Sequence, residues 1–155
     1  MSRPPRRERP WYWLDVFSQV PLAGNGLAVV LEADGLSPGI MLAFAREVGL
    51  SETTFVQRPV EDRADYVNRI WTVGGEIPFA GHPSLGTAVA VALDRSGSGS
   101  PEGRALRQQT GVGVQQVEAR FEDGGWTASV EQEAAIFGET FPSGRVAAAL
   151  GIEAG

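Results

Sequence analysis

Two stretches of the sequence contain residues that could carry out acid–base chemistry, and the first surrounds Glu52. Residues 50–55 (LSETTF) place this carboxylate between the helix-stopping Gly49 and a β-prone run. Catalytic groups often lie at such junctions between elements, because a rigid scaffold positions them there. Spacing alone also allows Glu52 to be an ordinary solvated carboxylate, as most glutamates are. The pattern therefore nominates Glu52 as a proton-transfer residue and leaves the surface alternative open.

The second stretch contains the single histidine of the chain. Residues 74–84 (GGEIPFAGHPS) lead into an apolar run, so His82 is predicted to lie at the start of a helix. Free N–H groups and the helix dipole attract anions at this position and disfavour a charged imidazolium. We expect a neutral His82 that donates a hydrogen bond to a carboxylate or an enolate-like oxygen, although a histidine here could also only cap or pack the helix.

A glycine-rich loop is the third candidate. Gly24, Asn25 and Gly26 separate two β-prone segments. Glycine lets the backbone approach a ligand closely, and an asparagine amide both donates and accepts hydrogen bonds. Taken alone, the pattern is equally typical of a simple turn.

Residue types that are missing exclude several chemistries. The sequence contains no cysteine, and all 13 basic residues are arginine. Thiolate metal sites, cysteine proton carriers and Schiff bases to lysine are therefore excluded within this chain. One histidine without cysteine gives no recognisable zinc spacing, so we expect no metal. Gly111 and Gly113 lack the rest of a dinucleotide-binding fingerprint, so the sequence does not predict a Rossmann site.

The charge and hydropathy of the sequence limit the kinds of partner that the chain can bind. The net charge is −6, which argues against a nucleic-acid or anionic-membrane partner because phosphate binding needs clustered positive charge. No window approaches the roughly 20 apolar residues of a membrane span, and no secretory signal follows the basic residues 1–10. The sequence predicts a cytoplasmic protein.

The predicted elements describe an α+β domain. Ser37 and Pro38 form a helix start, with a helix expected from about 38 to 48 and a stop at Gly49. Strands are expected around it and again after about residue 105, and a short helix from 143. The segment 83–94 is apolar on all sides, which indicates a helix surrounded by protein. A strongly bent sheet or barrel wrapped around this central helix satisfies both patterns.

Taken together and in this order, the motifs resemble those of the PhzF-like family of phenazine biosynthesis. The resemblance rests on Asp15 and Phe17 with the Gly24-Asn25 loop, then LSET at 50–53, then FAGHP at 79–83 with LGT at 85–87. It covers about residues 11–140 and implies the N-terminal lobe of a diaminopimelate-epimerase-like fold. The expected organisation is a disordered basic tail (1–10), one lobe (11–142) and the start of a truncated helix or inter-lobe segment (143–155).

The same resemblance implies a function. Family members move a proton on a small carboxylated, conjugated substrate without a cofactor, and Glu52 matches their acid–base residue while His82 matches their histidine. Residues that match the substrate-binding positions are Gly24, Asn25, Ser51, Gly81, Pro83 and Ser84. Family members are about twice as long and bind substrate between two lobes, which predicts a homodimer or association with a second lobe. The alternative is a non-catalytic relic or small-ligand-binding lobe.

Overall fold

The computed structural model describes residues 8–97, 103–132 and 134–152. Within these ranges eight strands are present: β1 (Trp11–Val16), β2 (Asn25–Val30), β3 (Glu52–Gln57), β4 (Tyr66–Thr72), β5 (Gly75–Ile77), β6 (Arg104–Thr110), β7 (Gly113–Glu122) and β8 (Gly125–Val130). Three helices accompany them: α1 (Pro38–Val48), α2 (Gly81–Ser96) and α3 (Ser143–Leu150). The predicted α+β class is confirmed.

The strands form one curled sheet. Its order is β1-β2-β3-β4-β6-β7-β8, with β5 added beside β4. The β2–β3 and β4–β6 pairs are parallel and the other pairs are antiparallel. Helix α2 packs against strands from both halves of the sheet, including β1, β2, β7 and β8. The sheet is therefore a half-barrel around a central helix, as the sequence predicts.

Close packing fixes α2 inside the sheet. Gly86 lies so near β1 and β2 that a Cβ atom there would approach Leu27 Cδ2 to 2.5 Å and Val16 Cγ2 to 3.0 Å. The Thr54 and Thr87 hydroxyl oxygens lie 2.8 Å apart in a buried hydrogen bond between β3 and α2. A buried hydroxyl needs such a partner, so this bond also specifies how the helix sits against β3.

Helix α1 covers the outer face of the sheet. Ser37 caps it by accepting a hydrogen bond from the Ile40 amide, and Gly49 ends it in the left-handed conformation with φ 70°. Met41 and Ala45 are buried against Phe55 and Trp71 in an apolar cluster between the helix and the sheet. Because Gly49 turns the chain directly into β3, this helix stop determines where Glu52 lies.

The structure departs from the sequence prediction in two places. β5 was not predicted, because GGEIP contains only one short apolar position between turn-forming residues. Helix α2 begins at Gly81, two residues before the predicted start. Most of the predicted tail, residues 1–7, lies outside the described residues. At its end, the Pro10 carbonyl accepts a hydrogen bond from the Leu31 amide.

The helix predicted from residue 143 is also present. The helix ends at Leu150. Gly151 follows in the left-handed conformation, and its backbone amide donates hydrogen bonds to carbonyls of the last turn, which caps the helix. Among the residues described, none of the helices is both long and apolar enough to cross a membrane.

Candidate active site

Three elements bring their first residues together at one end of the half-barrel. Asn25 begins β2 and Glu52 begins β3. These strands are parallel neighbours, with Leu27 aligned to Glu52, so their N-terminal ends lie side by side at one end of the sheet. His82 lies in the first turn of α2, which reaches the same end. Residues 57 positions apart, Asn25 and His82, are thereby placed in contact.

The side chains form a continuous row. Ser51 Oγ donates to Asn25 Oδ1 at 3.4 Å. Asn25 Nδ2 lies 3.3 Å from His82 Nδ1. On the other side of the imidazole ring, His82 Nε2 lies 3.4 Å from Glu52 Oε2. The two residues with predicted proton-transfer chemistry are therefore direct neighbours.

The Glu52–His82 pair is largely buried. The His82 and Glu52 side chains are only 10% and 18% exposed. His82 Nε2 and Glu52 Oε2 are both buried and neither completes a hydrogen bond with good geometry. An unsatisfied buried polar atom costs free energy, so two that face each other are typical of a site that a ligand completes.

The imidazole is kept neutral by its surroundings. Burial lowers the pKa of His82, and the nearby Glu52 carboxylate raises it by a smaller amount, so that the pKa stays below its ordinary value. A neutral imidazole carries one N–H donor and one acceptor nitrogen. This agrees with the sequence expectation of a neutral His82.

The start of α2 adds backbone donors. Ala80 occupies the N-cap and provides no side-chain acceptor. Pro83 has no N–H, so the uncapped amides of the first turn are those of Gly81 and His82. Together with the buried Nε2 of His82, they create an environment that favours an anionic oxygen.

Some residues proposed from the sequence as substrate-binding are instead packed or hydrogen-bonded within the fold. Pro83 and Ser84 are buried, and Ser84 Oγ donates to the Ala80 carbonyl at 2.9 Å. Gly24 packs so tightly that a Cβ atom would lie 2.6 Å from the Val16 carbonyl oxygen. These three residues shape the site through the backbone. Gly81 lies at its edge, and a Cβ there would be 3.9 Å from Gln132 Nε2.

Two neighbours of the site were not predicted as site residues. The Phe17 ring lies 6.3 Å from the His82 ring, on a residue with φ 66°. The loop after Phe17 is anchored by Asp15, whose carboxylate accepts a hydrogen bond from the Leu22 amide. Gln132, just beyond β8, is the other neighbour. Local spacing gives no signal for either contact, since positive φ at phenylalanine and proximity across the barrel depend on tertiary structure.

The site is open on one side. Phe17, Val20 and Leu22 form an apolar surface beside it and are 76%, 63% and 92% exposed. A groove of about 990 Å³ lies between β1 and β8 above α2, and its walls include neither Glu52 nor His82. This groove is therefore separate from the buried Glu52–His82 pair.

Comparison with protein families identifies the relationship. Residues 14–154 match the family model described as phenazine biosynthesis-like protein, PhzC-PhzF. The chain belongs to the PhzC-PhzF family. The resemblance inferred from the three motifs is confirmed, and all of them fall within the matched residues.

Individual relatives agree with this assignment. The chain is similar to trans-2,3-dihydro-3-hydroxyanthranilate isomerase of Pseudomonas fluorescens, with 51% identity over 78 residues that cover 50% of this chain and 28% of the relative. An uncharacterized isomerase of Mesorhizobium japonicum is 47% identical over 93 residues, covering 59% and 31%.

Solved structures share the fold. A predicted epimerase from Pseudomonas aeruginosa superposes with a TM-score of 0.81 at 32% identity, covering 94% of this chain and 51% of that one. A PhzF-family protein from Bacillus anthracis gives a TM-score of 0.68 at 29% identity, covering 83% and 42%. The epimerase-like fold is thus confirmed, and this chain spans about half the length of these structures.

Proposed function

We propose that this chain supplies the acid–base half of a cofactor-independent PhzF-like isomerase. The observation that carries the proposal is the buried contact between Glu52 and His82 at the uncapped start of α2. A carboxylate beside a neutral imidazole and free backbone amides matches the needs of proton transfer next to an anionic group. The proposed substrate is a small, carboxylated, conjugated molecule of the dihydro-hydroxyanthranilate type, the class named in the similar isomerases.

In the proposed reaction, Glu52 acts first as base and then as acid. A carboxylate oxygen removes a proton from a carbon next to the conjugated system, and the electron pair of the broken C–H bond spreads into that system. The same proton then returns to a different carbon, which moves the double bond and regenerates the carboxylate. The Gly81 and His82 backbone amides hold the negatively charged oxygens of the substrate while the charge develops. No redox step or added cofactor is needed.

Substrate carboxylate binding is assigned to the helix start. The Gly81 and His82 amides provide fixed partial positive charge without a flexible side chain. Asn25 and Ser51 border this surface and are exposed enough to meet a ligand. Gly24, Pro83 and Ser84 contribute by holding the loop and the first turn in place.

A second body is expected to cover the open side. Proton reuse by one carboxylate requires exclusion of water, and the exposed Phe17, Val20 and Leu22 are unsuited to a permanently solvated surface. We propose that two copies of the chain associate through this apolar surface, or that a second lobe like that of the longer relatives covers it. Sedimentation equilibrium should report a dimer at micromolar concentration, and Leu22→Ser should weaken it. A 16.5 kDa monomer at all concentrations would exclude the homodimer.

Product formation tests the proposed proton transfer. The chain is incubated with trans-2,3-dihydro-3-hydroxyanthranilate, and the isomerised product is followed by NMR. Glu52→Gln should reduce the rate of product formation by about 10²–10⁴-fold, the usual contribution of a general base. The fold should persist, because the substitution removes charge and keeps the side-chain shape.

Glu47→Gln is the matched control, since Glu47 is an exposed carboxylate on α1. It should form product at the wild-type rate. Equal rates of product formation by wild type and Glu52→Gln would disprove the role of Glu52.

A ligand-binding lobe without turnover is the second candidate. The groove between β1 and β8 favours it, because this groove has room for a ligand but is lined by neither Glu52 nor His82. In that case calorimetry would detect binding of the carboxylated ligand, weakened by His82→Ala, while the wild type would form no product above the uncatalysed rate.

A further inference from the structure

The row formed by Ser51, Asn25, His82 and Glu52 determines which imidazole nitrogen carries the proton. Ser51 Oγ–H donates to Asn25 Oδ1, so the Asn25 amide nitrogen is the atom turned toward the ring. That nitrogen lies 3.3 Å from His82 Nδ1 and has only protons to offer. His82 Nδ1 must therefore act as the acceptor in this contact.

The contact of the other ring nitrogen, Nε2, also places the proton on Nε2. Nε2 lies 3.4 Å from Glu52 Oε2, and a carboxylate that is ready to remove a proton can only accept. Burial keeps His82 from carrying a second proton by lowering its pKa. If the Asn25 amide were reversed, Nδ1 would hold the only proton, and Nε2 and Oε2 would face each other as two acceptors. Both neighbours therefore favour the proton on Nε2.

We propose that Asn25, oriented by Ser51, is a positioning residue that holds His82 in the neutral Nε2–H tautomer, with its proton on the side of the ring that faces Glu52. The tautomer assignment stands on geometry alone, and its catalytic meaning rests on the function proposed above. Asn25 acts here through His82, in addition to any contact that it makes with a ligand.

This arrangement protects the transferred proton. A residue that works first as base and then as acid must keep the proton that it has taken. A neighbouring imidazole with a free lone pair would compete for it. Because the lone pair of Nδ1 is occupied by Asn25 and Nε2 already bears hydrogen, His82 has no vacant position for a second proton. Glu52 then retains the proton until it returns to the substrate.

The single histidine makes the tautomer directly measurable. Long-range ¹H–¹⁵N NMR of the uniformly labelled full chain contains one set of imidazole signals, so these need no assignment. At a pH above about 7, where histidine is ordinarily neutral, we expect a pyrrole-type Nε2 and a pyridine-type Nδ1. Neither substrate nor activity is needed for this measurement.

Variants test whether Asn25 is the cause. Asn25→Asp puts an acceptor of nearly the same shape beside Nδ1, so it should move the proton to Nδ1 and raise the pKa of His82. Asn25→Ala removes the donor and should shift the tautomer ratio by about fivefold, the effect of one ordinary hydrogen bond. Ser51→Ala should shift it in the same direction by less, while Ser129→Ala, at an exposed serine on β8, should leave the imidazole signals unchanged.

Two results would overturn the proposal. One is a wild-type His82 that is mainly Nδ1–H or doubly protonated above neutral pH. The other is an Asn25→Asp variant, folded by circular dichroism, whose tautomer and titration match the wild type. A chain with the expected tautomer but no product formation would keep this inference and reject the proposed isomerase, so the two failures are distinguishable.

Discussion

At the C-terminal end of α2 polar groups bond to one another, whereas at its N-terminal end two buried polar atoms face each other without completing a hydrogen bond. Near the C-terminus, Arg95 Nη2 donates to the Asp65 carbonyl at 3.0 Å. The Asp65 carboxylate in turn accepts the Arg107 amide at 2.7 Å and its guanidinium at 3.5 Å. The Asp65 carboxylate and carbonyl thus have donors within the chain, which is the normal condition of polar groups in a folded protein.

The start of the same helix leaves its groups unsatisfied. Ala80 provides no cap, and the buried His82 Nε2 and Glu52 Oε2 complete no hydrogen bond. Both ends belong to one rigid helix in one half-barrel, so fold stability alone does not explain the difference. We expect the matched groups at one end to stabilise the fold and the unmatched groups at the other to serve the proposed function. Substitutions at the two ends should therefore have separable effects.

The largest effect on stability is expected at Gly86, because its close packing against β1 and β2 holds both ends of α2 in place. Gly86→Ala would place a methyl group 2.5 Å from Leu27 Cδ2, and such overpacking costs about 1–3 kcal/mol. The free energy of unfolding, measured by urea denaturation, should fall by this amount. His82 signals and the Asp65 region should be disturbed together, because the whole helix must shift.

Gly39→Ala is the matched control for Gly86. Gly39 also lies in a helix, but a Cβ atom at this position would have Ser37 Oγ as its nearest neighbour, at 4.0 Å. Alanine favours helix by up to about 1 kcal/mol over glycine, so this variant should be as stable as the wild type or more so. Equal effects of the two substitutions would show that close packing of α2 does not hold the half-barrel together.

A smaller effect is expected at Asp65. Asp65→Asn weakens the bonds to Arg107 and should lower the free energy of unfolding by about 1 kcal/mol, the usual contribution of a hydrogen bond. Ligand affinity and the imidazole signals of His82 should not change, since Asp65 lies at the opposite end of α2. A loss of ligand binding in a folded Asp65→Asn variant would show that the two ends are coupled.

The elements were predictable because their signals are local. Ser37, Pro38 and Gly49 set the bounds of α1, and hydrophobic periodicity located α2 and most strands. The order of strands in the sheet was not readable, since the parallel pairing of β4 with β6 joins segments separated by the whole of α2. The open edges at β1 and β8 follow from that order.

The site was predictable in part for the same reason. Glu52 and His82 could be nominated from their junctions, but their 3.4 Å contact depends on the parallel register of β2 and β3 and on the depth of α2. Ser84 matches the motif, yet its hydroxyl is used by the helix itself. Phe17 enters the site through a backbone conformation that phenylalanine rarely adopts.

The smallest expected effect is the pH dependence that His82 gives to stability. Burial lowers the pKa of His82 in the folded chain, and the facing Glu52 carboxylate only partly offsets this. The unfolded chain therefore binds the proton first as pH falls. The stabilising contribution is complete above the ordinary histidine pKa of about 6.5 and is lost as pH falls below it toward the lower folded value.

His82→Gln isolates this contribution, because the chain contains no other histidine. Urea denaturation between about pH 7 and 5, the range in which histidine titrates, should show a steeper loss of stability for wild type than for His82→Gln. Glu52→Gln should increase the loss of stability that His82→Gln reduces. Without the carboxylate, the pKa of His82 falls further, so stability should continue to fall down to a lower pH. The N-terminal end of α2 would then respond to pH through its unsatisfied pair, while Asp65→Asn should leave this part of the profile unchanged. Parallel wild-type and His82→Gln profiles would mean that His82 is as easily protonated in the folded chain as in the unfolded one, and the contrast between the two ends of the helix would lose its electrostatic basis.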